Sequence, residues 1–373
     1  MLPVLVPDMP PPEALMPLLE AIARSGRFTN FGPMVGRFER DLADLLGPGA
    51  AVCTTSSCTA ALEAALGVLD LAPGTAVLLP SFTFPATALA VCRAGLRPVF
   101  CDVDPQTWTL TPAIARDALP RAGAGTGAVV PVAAFGCPVP ADEWSAFSRD
   151  TGAAVVVDAA AALGRQGLAD GLLVAFSLHA TKPLGIGEGG LVAGRDADRI
   201  ARVRRAINFG LENGTVTAGG FNGKLSEMAA AVGVLQLARR EDVARRRLAV
   251  RQAYRAALAR LPGVRLQRDD GDAAAVLVVQ TGVPAETVAA ALADAGIETR
   301  RWYAPPLHRQ PRFAGCRRIG PDGGPDLPVT DGLADRAIGL PFHGFLTPDD
   351  VGRVVGALAA APDRHRPPAG GRA

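Results

Sequence analysis

Short apolar runs alternate with stretches of helical periodicity over the first two thirds of the chain. Runs of four to eight apolar residues are typical of strands that are covered on both faces, and they predict strands at 50–54, 76–79, 98–101, 127–134, 153–157 and 172–176. Apolar residues spaced three and four apart predict helices at 13–25, 35–46, 59–69, 112–119, 141–151 and 200–208, and a loop that becomes a helix at 82–94. This alternation predicts an α/β fold with a large domain, in which a mostly parallel central sheet is flanked by helices.

The pattern changes near residue 255, which predicts a smaller C-terminal α/β domain. A long helical stretch at 226–258 leads into it, apolar at first and then strongly basic. Beyond it the sequence predicts strands at 274–279 and 298–300, helices at 286–295, 333–338 and 348–361, and a long loop at 303–327. Loops of that length in a compact domain are often functional. We therefore predict a large domain at 12–254, a small domain at 255–361 and a disordered tail at 362–373.

Composition narrows the functional classes. Among the 373 residues, 38 basic and 36 acidic side chains give a net charge of +2, which creates no field that favours nucleic acid or an anionic membrane surface. No apolar run is long enough to span a membrane, and the N-terminus lacks the basic and apolar regions of a signal peptide. The six cysteines show neither a C-x-x-C pair nor metal-ligand spacing, so we expect a reduced, cytoplasmic protein without a metal site.

Polar residues follow several of the predicted strands. The hydroxyl-rich turn 54–59 leads into a helix, an arrangement that can hold an anion on free backbone N–H groups, although the same residues would serve as a simple N-cap. Asp158 closes a strand, where it would either cap a helix or meet a cation. Lys182 lies between a strand and the glycines 185–190, which predict a tight turn. Burial there would make its amine a nucleophile; the alternative is a loop lysine that reaches solvent. Ligands bind at the carboxyl ends of parallel strands, so these residues are expected to meet.

With the aromatic residue Phe84 at another strand end, these residues form the chemical set that pyridoxal 5′-phosphate (PLP) requires. A lysine binds the aldehyde of the cofactor, and a carboxylate keeps its pyridine nitrogen protonated. A helix N-terminus holds its phosphate, and an aromatic ring stacks on its face.

From about residue 28 to about residue 358, the sequence resembles the DegT/DnrJ/StrS family of sugar aminotransferases, which have the type I fold of aspartate aminotransferase. The motifs that carry this resemblance are 28–33 (FTNFGP), 80–87 (PSFTFPAT), 99–104 (VFCDVD), 157–160 (VDAA), 176–182 (FSLHATK), 188–190 (EGG), 222–228 (NGKLSEM), 303–308 (YAPPLH) and 340–343 (LPFH). Their order and spacing identify the family, and the segment 176–182 is similar to the branch that acts on dTDP-4-keto-6-deoxyhexoses.

The resemblance implies roles in holding the cofactor. Lys182 would form the internal aldimine and carry the catalytic proton, Asp158 would pair with the pyridine nitrogen, and Phe84 would stack on the ring. The residues that would hold the phosphate are Cys58, Thr59 and Ser177.

Further roles concern the partner subunit and the substrate. Because sites of this family form at a homodimer interface, Asn222 would reach the phosphate held by the neighbouring subunit. Three residues would line the sugar-nucleotide side, although a packing role is equally open for each: His179, Tyr303 and His308.

Two positions depart from the family pattern. The family usually has glycine where this chain has Cys58, so a side chain there could crowd the phosphate. It usually has Gln or His where this chain has Ala161, which removes one hydrogen bond near the phenolic oxygen of the cofactor.

The resemblance implies a PLP-dependent aminotransferase with glutamate as amino donor and a nucleotide-linked keto-deoxysugar, such as dTDP-4-keto-6-deoxyhexose, as acceptor. Members that dehydrate their substrate have histidine at the lysine position, so Lys182 favours amino transfer. Two alternatives stay open. The chain could be a non-catalytic or altered-chemistry protein of the PLP fold, or it could aminate a keto-sugar or cyclitol without a nucleotide.

Overall fold

The computed structural model describes residues 1–123, 125–268 and 275–361. Its helices are α1 (Pro12–Ser25), α2 (Pro33–Leu46), α3 (Cys58–Gly67), α4 (Pro85–Arg93), α5 (Pro112–Ala118), α6 (Ala141–Thr151), α7 (Ala197–Ala206), α8 (Glu227–Ala238), α9 (Arg240–Leu258), α10 (Ala285–Asp294), α11 (Pro328–Arg336) and α12 (Pro348–Ala359). Its strands are β1 (Ala51–Thr55), β2 (Ala76–Pro80), β3 (Arg97–Cys101), β4 (Thr126–Val129), β5 (Ala154–Asp158), β6 (Leu172–Ser177), β7 (Gly190–Gly194), β8 (Leu211–Glu212), β9 (Thr215–Val216), β10 (Val264–Leu266), β11 (Leu277–Thr281), β12 (Arg317–Ile319) and β13 (Ala337–Leu340).

An eight-stranded sheet forms the centre of the larger part of the molecule, in the order β1-β7-β6-β5-β4-β2-β3-β12. Strand β7 is antiparallel to both of its neighbours, β1 and β6. The other neighbouring pairs are parallel. The predicted α/β fold with a mostly parallel central sheet is therefore confirmed.

Both faces of this sheet are buried, as its apolar strands require. In β5, Val155 and Val157 pack on one face in a cluster with Trp144 of α6. Val156 packs on the other face in a cluster with Ala61 of α3. Because successive side chains of a strand point to opposite faces, a strand covered on both sides is apolar at every internal position. Polar residues can then be placed at strand ends, where Asp158 closes β5.

A smaller antiparallel sheet, in the order β10-β11-β13, organises the C-terminal part of the chain. Its core packs Tyr254 of α9, Leu292 of α10 and Ile338 of β13 together. The hydroxyl of Tyr254 donates to the carbonyl of Pro341 at 2.9 Å. The first residues of the chain also join this part, because Leu2 pairs with Ile297 in a parallel bridge.

The structure corrects two predictions about strands in the C-terminal part. The predicted helix 333–338 is confirmed only up to Arg336, where α11 ends. Ala337–Leu340 forms β13 instead, since a short apolar run cannot by itself distinguish a helix from a strand. The predicted strand 298–300 is wrong, because these described residues contribute only a single bridge between Arg300 and Gly339.

Further corrections concern connections between elements. The glycine segment 185–190 is not a turn throughout, because Gly190 begins the buried strand β7. The predicted loop 303–327 contains β12, which pairs with β3 at the edge of the large sheet. The single helical stretch expected at 226–258 is two helices, α8 and α9, separated at Arg239.

Residue 274 of a predicted strand and the predicted tail 362–373 lie outside the described residues. Among the helices that the structure describes, none is both long enough and apolar enough to cross a membrane.

Candidate active site

The carboxyl ends of two strands meet at Gly190, the first residue of β7. Gly190 lies opposite Thr55, which ends β1, and opposite Ser177, which ends β6. The turn after β1 and the segment after β6 that carries Lys182 (residues 178–185, the lysine segment) therefore lie side by side. Asp158 belongs to the same edge, since it ends β5, which pairs with β6.

Gly190 also permits a close backbone approach at this edge. A Cβ atom at this position would lie 2.5 Å from the backbone nitrogen of Cys58 and 2.6 Å from the carbonyl oxygen of Ser57. Contacts that short with backbone atoms cannot be relieved by rotating a side chain, so β7 packs against the start of α3 only because residue 190 is glycine.

The start of α3 presents backbone donors to the same edge. Ser57 is the N-cap, and its Oγ accepts a hydrogen bond from the backbone N–H of Ala60 at 3.1 Å. Cys58 and Thr59 are the first two helical residues, and N–H groups at these positions have no partner within a helix. The two interpretations of this turn are thus compatible: Ser57 caps the helix, while the N–H groups of Cys58 and Thr59 and the helix dipole can hold an anion.

Asp158 is a buried carboxylate with two donors from its own chain. Its side chain is 5% exposed. Its Oδ2 accepts from the Thr87 hydroxyl at 2.7 Å and its Oδ1 accepts from the Ala160 N–H at 3.1 Å. Burial raises the pKa of Asp158, and the hydrogen bonds from Thr87 and Ala160 and the charge of Lys182 oppose that rise. A cationic partner in this pocket would therefore stabilise the charged carboxylate.

Lys182 shares this pocket. Its backbone N–H donates to the carbonyl of His179 at 2.8 Å, and its own carbonyl accepts from Gly185 at 3.0 Å, so consecutive turns fix the segment. Burial lowers the pKa of the Lys182 amine and the charge of Arg247 lowers it further, whereas Cys58 in its ionised form and the charge of Asp158 raise it. Desolvation thus favours the neutral amine, which is the nucleophilic form.

Cys58 lies between these charges. Burial raises the pKa of its thiol well above the usual range, and the charge of Asp158 raises it further, whereas that of Lys182 lowers it. The thiol is therefore neutral at physiological pH, and Cys58, Asp158 and Lys182 lie within electrostatic reach of one another.

The lysine segment is fastened to the rest of the chain through Gln236 of α8. The side-chain amide of Gln236, which is 1% exposed, donates to the carbonyl of Gly185 at 2.6 Å and to that of Asp8 at 2.7 Å. Asp8 in turn forms ion pairs with Arg239 at 2.8 Å and Arg246 at 2.6 Å. The turn that carries Lys182 is therefore held by the N-terminal segment and by two helices.

The lowered pKa of Lys182 predicts how the apoprotein captures PLP as pH changes. Only the neutral amine attacks an aldehyde, and a lowered pKa makes the amine neutral at lower pH. The rate of capture should therefore rise with pH and reach half its maximum at a pH below about 10.4, which is the pKa of an exposed lysine. Stopped-flow absorbance of apoprotein mixed with PLP measures this rate, with an N-acetyl-lysine amide as reference. A midpoint equal to that of the reference would contradict the prediction.

The close approach at Gly190 leads to a second prediction. Replacing Gly190 by alanine is expected to displace the start of α3 and weaken PLP binding by about tenfold or more, because overpacking of a tight contact is costly. Titrating apoprotein with PLP measures the affinity. The control is Gly67→Ala in the same helix, where an added Cβ would have no atom within 4 Å and affinity should be unchanged. Equal affinities for Gly190→Ala and Gly67→Ala would contradict the prediction.

Phe84 presents its ring to solvent, with 60% of the residue exposed. It is the N-cap residue of α4, and its carbonyl accepts from the backbone N–H of Thr87 at 3.3 Å. Because Thr87 contacts Asp158, one turn of α4 brings the exposed ring and the buried carboxylate to the same edge of the sheet.

The residues proposed for the substrate side have different surroundings. His179 is half-exposed, with its Nδ1 2.9 Å from the Thr181 hydroxyl. The Tyr303 ring stacks on Phe135 with centroids 4.9 Å apart. Burial raises the pKa of Tyr303 and the charge of Asp158 raises it further, whereas a hydrogen bond with the backbone of Phe135 opposes the rise.

His308 is buried and tied to its own chain. Its Nδ1 lies 2.7 Å from the Ser81 hydroxyl, and its Nε2 lies 3.1 Å from an oxygen of Asp331. These contacts fasten the segment that carries His308 to Ser81, which follows β2, and to Asp331 of α11. The geometry of His308 therefore favours the packing role.

Asn222 lies near the start of α3 of its own chain. Its residue is exposed, and it pairs with Asn208 in an antiparallel bridge. The carbonyl of the next residue, Gly223, accepts from the Ser56 N–H at 2.7 Å. The exposed Asn222 is thus available to a second subunit.

Sequence reasoning did not assign roles to Thr87, Gln236 or Gly190. Thr87 lies within the motif 80–87, but its contact with Asp158 joins residues 71 positions apart, which no local pattern indicates. The only signal for Gly190 was the glycine-rich segment itself.

The donor set fits PLP. Lys182 supplies an amine for the aldehyde, Asp158 supplies a buried carboxylate for a pyridinium nitrogen, and the start of α3 supplies N–H groups for a phosphate. Ala161, three residues after Asp158, has no side-chain hydrogen-bond donor.

Comparisons with known proteins show which family the chain resembles. The model of the DegT/DnrJ/EryC1/StrS aminotransferase family matches residues 12–359. Protein Rv3402c of Mycobacterium tuberculosis (strain ATCC 25618 / H37Rv) is 35% identical, over 96% of this chain and 90% of its own length. The dTDP-4-dehydro-2,3,6-trideoxy-D-glucose 4-aminotransferase of Saccharopolyspora spinosa is 31% identical, over 93% of this chain and 94% of its own length.

The solved structures include a similar fold. The crystal structure of DesI in the presence of its TDP-sugar product has a TM-score of 0.87 and 34% identity, and the match covers 96% of this chain and 93% of that one.

Proposed function

The chain belongs to the DegT/DnrJ/EryC1/StrS aminotransferase family, and we propose that it uses PLP to move an amino group from glutamate to the keto group of a nucleotide-linked deoxysugar. The acceptor proposed is a dTDP-4-keto-6-deoxyhexose. Membership of the family and the class of enzyme, an aminotransferase, were both predicted from the sequence and are confirmed. The donor, the acceptor and the cofactor are the parts that the proposal adds.

The observation that carries the proposal is that Lys182, Asp158 and the start of α3 lie together at one edge of the sheet. PLP, when bound, supplies an electron-withdrawing ring that stabilises negative charge on the adjacent carbon. Lys182 would hold PLP and, through its Nζ, would move a proton from the α-carbon of the donor to the cofactor in one half-reaction and from the cofactor to the acceptor carbon in the other. Asp158 would hold the proton on the ring nitrogen, and the N–H groups of Cys58 and Thr59, with Ser177, would orient the phosphate.

The nucleotide-sugar part of the proposal is supported by the relatives. The Saccharopolyspora enzyme is named for a dTDP-linked keto-deoxysugar, and DesI was crystallised with a TDP-sugar product. His179 and Tyr303 are the residues of this chain that we place on the substrate side.

We extend the proposal to a homodimer with shared sites. Asn222 would reach the phosphate held by the second subunit. In the single chain, these large apolar side chains are exposed and would be covered by a second copy: Phe28, Phe84, Phe209 and Met228. A cytoplasmic location is part of the proposal as well, and its support is that the six cysteines show neither a C-x-x-C pair nor metal-ligand spacing.

A panel of acceptors tests the proposal. Purified, PLP-loaded protein is incubated with glutamate and either dTDP-linked keto-deoxysugars, the free keto-sugars or keto-cyclitols, and kcat/KM is measured for each. The proposal expects the dTDP-linked compounds to be preferred by about 100-fold or more, because an unfilled nucleotide subsite forfeits several contacts. A preference for free keto-sugars or cyclitols would contradict it.

A non-catalytic role is the second candidate, and the changes at Cys58 and Ala161 are the observations that favour it. Both positions lie where related proteins contact the cofactor. Bound PLP that fails to react with glutamate, in a protein that transfers no amino group to any acceptor, would favour this candidate over the enzyme.

A further inference from the structure

Asp158 has acceptor capacity that its own chain leaves unfilled. An ionised carboxylate has about four acceptor positions. Among the described residues, the hydrogen-bond donors to its side chain are the Thr87 hydroxyl at 2.7 Å and the Ala160 N–H at 3.1 Å. Of these two, the hydroxyl makes the shorter contact, and it is the donor that a mutation can remove.

The direction of the Thr87 hydrogen bond follows from its neighbours. Its Oγ1 lies 2.7 Å from Asp158 Oδ2, 2.9 Å from the Thr83 hydroxyl and 3.2 Å from the Phe84 carbonyl. A hydroxyl has one proton, and a carboxylate is the strongest of these acceptors. Thr87 therefore donates to Asp158 when the carboxylate is charged, and the Thr83 hydroxyl donates to Thr87.

This pair of hydroxyls is shielded from solvent. Thr83 and Thr87 are each 1% exposed, so bulk water does not compete for either hydroxyl. The order Thr83, Thr87, Asp158 is a relay in which the second donor strengthens the first. If Asp158 were protonated, it would donate its own proton to Thr87, and the direction of both hydrogen bonds would reverse. Donation in the order Thr83, Thr87, Asp158 therefore favours the charged carboxylate.

We infer that Thr87, oriented by Thr83, is a positioning residue that keeps Asp158 charged and thereby keeps the proton on the ring nitrogen of the cofactor. The inference rests on the proposed function, because it assumes that PLP occupies the pocket. Thr87 is joined to the Phe84 backbone as well, so one turn of α4 sets the carboxylate at the ring nitrogen and the aromatic ring above it.

The other ionisable groups facing Asp158 are known from the structure. They are Lys182 after β6, Cys58 at the start of α3 and Tyr303 in the loop before α11. The neutral thiol and phenol carry no charge near pH 7, so Lys182 is the group whose charge acts on Asp158 in the same direction as the relay, lowering its pKa. The variants that test the inference leave all three in place.

The test measures the ring proton directly. Protein loaded with PLP carrying ¹⁵N in the ring is studied by NMR, and the ¹⁵N resonance reports whether that nitrogen is protonated. In Thr87→Val, loss of the donor raises the proton affinity of Asp158, and the resonance is expected to move towards that of neutral pyridine. Affinity for PLP should fall by about tenfold or more, because a hydrogen bond to a charged group is lost. Thr87→Ser retains the hydroxyl and should restore both values.

Two further variants complete the design. Thr83→Val keeps Thr87 but removes the donor that orients it, and a smaller shift in the same direction is expected. The matched control is Thr330→Val, because Thr330 is also fully buried and donates to another buried aspartate, Asp102, at 2.7 Å. That variant should leave the ring resonance unchanged.

The outcomes separate this inference from the proposed function. A wild-type resonance in Thr87→Val would overturn the inference while leaving the aminotransferase proposal intact. Loss of PLP binding in both Thr87→Val and Thr87→Ser would assign position 87 a packing role and would also overturn it. A wild-type protein that does not bind PLP would instead contradict the proposed function, and the inference with it.

Discussion

Replacing Lys182 by alanine is expected to abolish amino transfer and the visible absorbance of bound PLP. The change removes both the covalent attachment point and the group that moves the proton. Loss of a general acid–base group alone costs about 10²–10⁴-fold in rate, and loss of the nucleophile adds to that cost. The measurement is the rate of 2-oxoglutarate formation from glutamate, with the absorbance spectrum recorded on the same sample.

The composition of the chain sharpens this experiment. Lys182 and Lys224 are the only two lysines in the sequence. Borohydride reduction of the loaded protein fixes PLP to the amine that holds it, and mass spectrometry of the digested peptides then decides between the two. Lys224→Ala is the control, and its modified peptide should still contain Lys182. Reduced cofactor on Lys224 in the wild-type protein would contradict the account.

Replacing Asp158 by asparagine is expected to lower turnover by about 10²–10³-fold, the range for removing one preorganised electrostatic partner of a reacting group. The amide oxygen can still accept from the Ala160 N–H while the amide NH2 donates to the Thr87 hydroxyl, but the neutral amide cannot neutralise a pyridinium. Burial raises the pKa of Asp158, so a charged carboxylate is unfavourable in the apoprotein. Removing this charge should therefore not lower the free energy of unfolding of the apoprotein. Kinetics of the loaded enzyme and urea unfolding of the apoprotein measure the two effects.

The control for this prediction is Asp102→Asn. Asp102 is also buried and follows a neighbouring strand, β3, but it accepts from the backbone of Val329 and Thr330 rather than facing the pocket. Its replacement should affect stability and leave turnover close to that of the wild type. Turnover that falls equally in Asp158→Asn and Asp102→Asn would contradict a specific role for Asp158.

The fold could be predicted because its main signals are local. The apolar strands of the large sheet are continuous, so their alternation with helices was enough to predict a mostly parallel sheet. Strand β7 was missed because its five residues begin and end with glycine and follow a glycine-rich segment. Strand β13 was missed because its short apolar run continues directly from α11.

The candidate site was only partly accessible from the sequence. Asp158 and Lys182 could be found because each is a single charged residue beside an apolar strand. Thr87 and Gln236 could not, since their partners lie 71 and 51 residues away in sequence and are brought close only by the tertiary fold. The packing of His308 against Ser81 likewise depends on a contact 227 residues apart.

One labelling measurement tests the central claim most directly. PLP-loaded protein is incubated with ¹⁵N-labelled glutamate and a dTDP-4-keto-6-deoxyhexose, and the nucleotide-sugar fraction is examined by mass spectrometry. The account predicts a dTDP-linked amino sugar that carries ¹⁵N, formed in equal amount with 2-oxoglutarate and absent when Lys182→Ala replaces the wild type. A wild-type protein that binds PLP but leaves the nucleotide sugar unlabelled would contradict it.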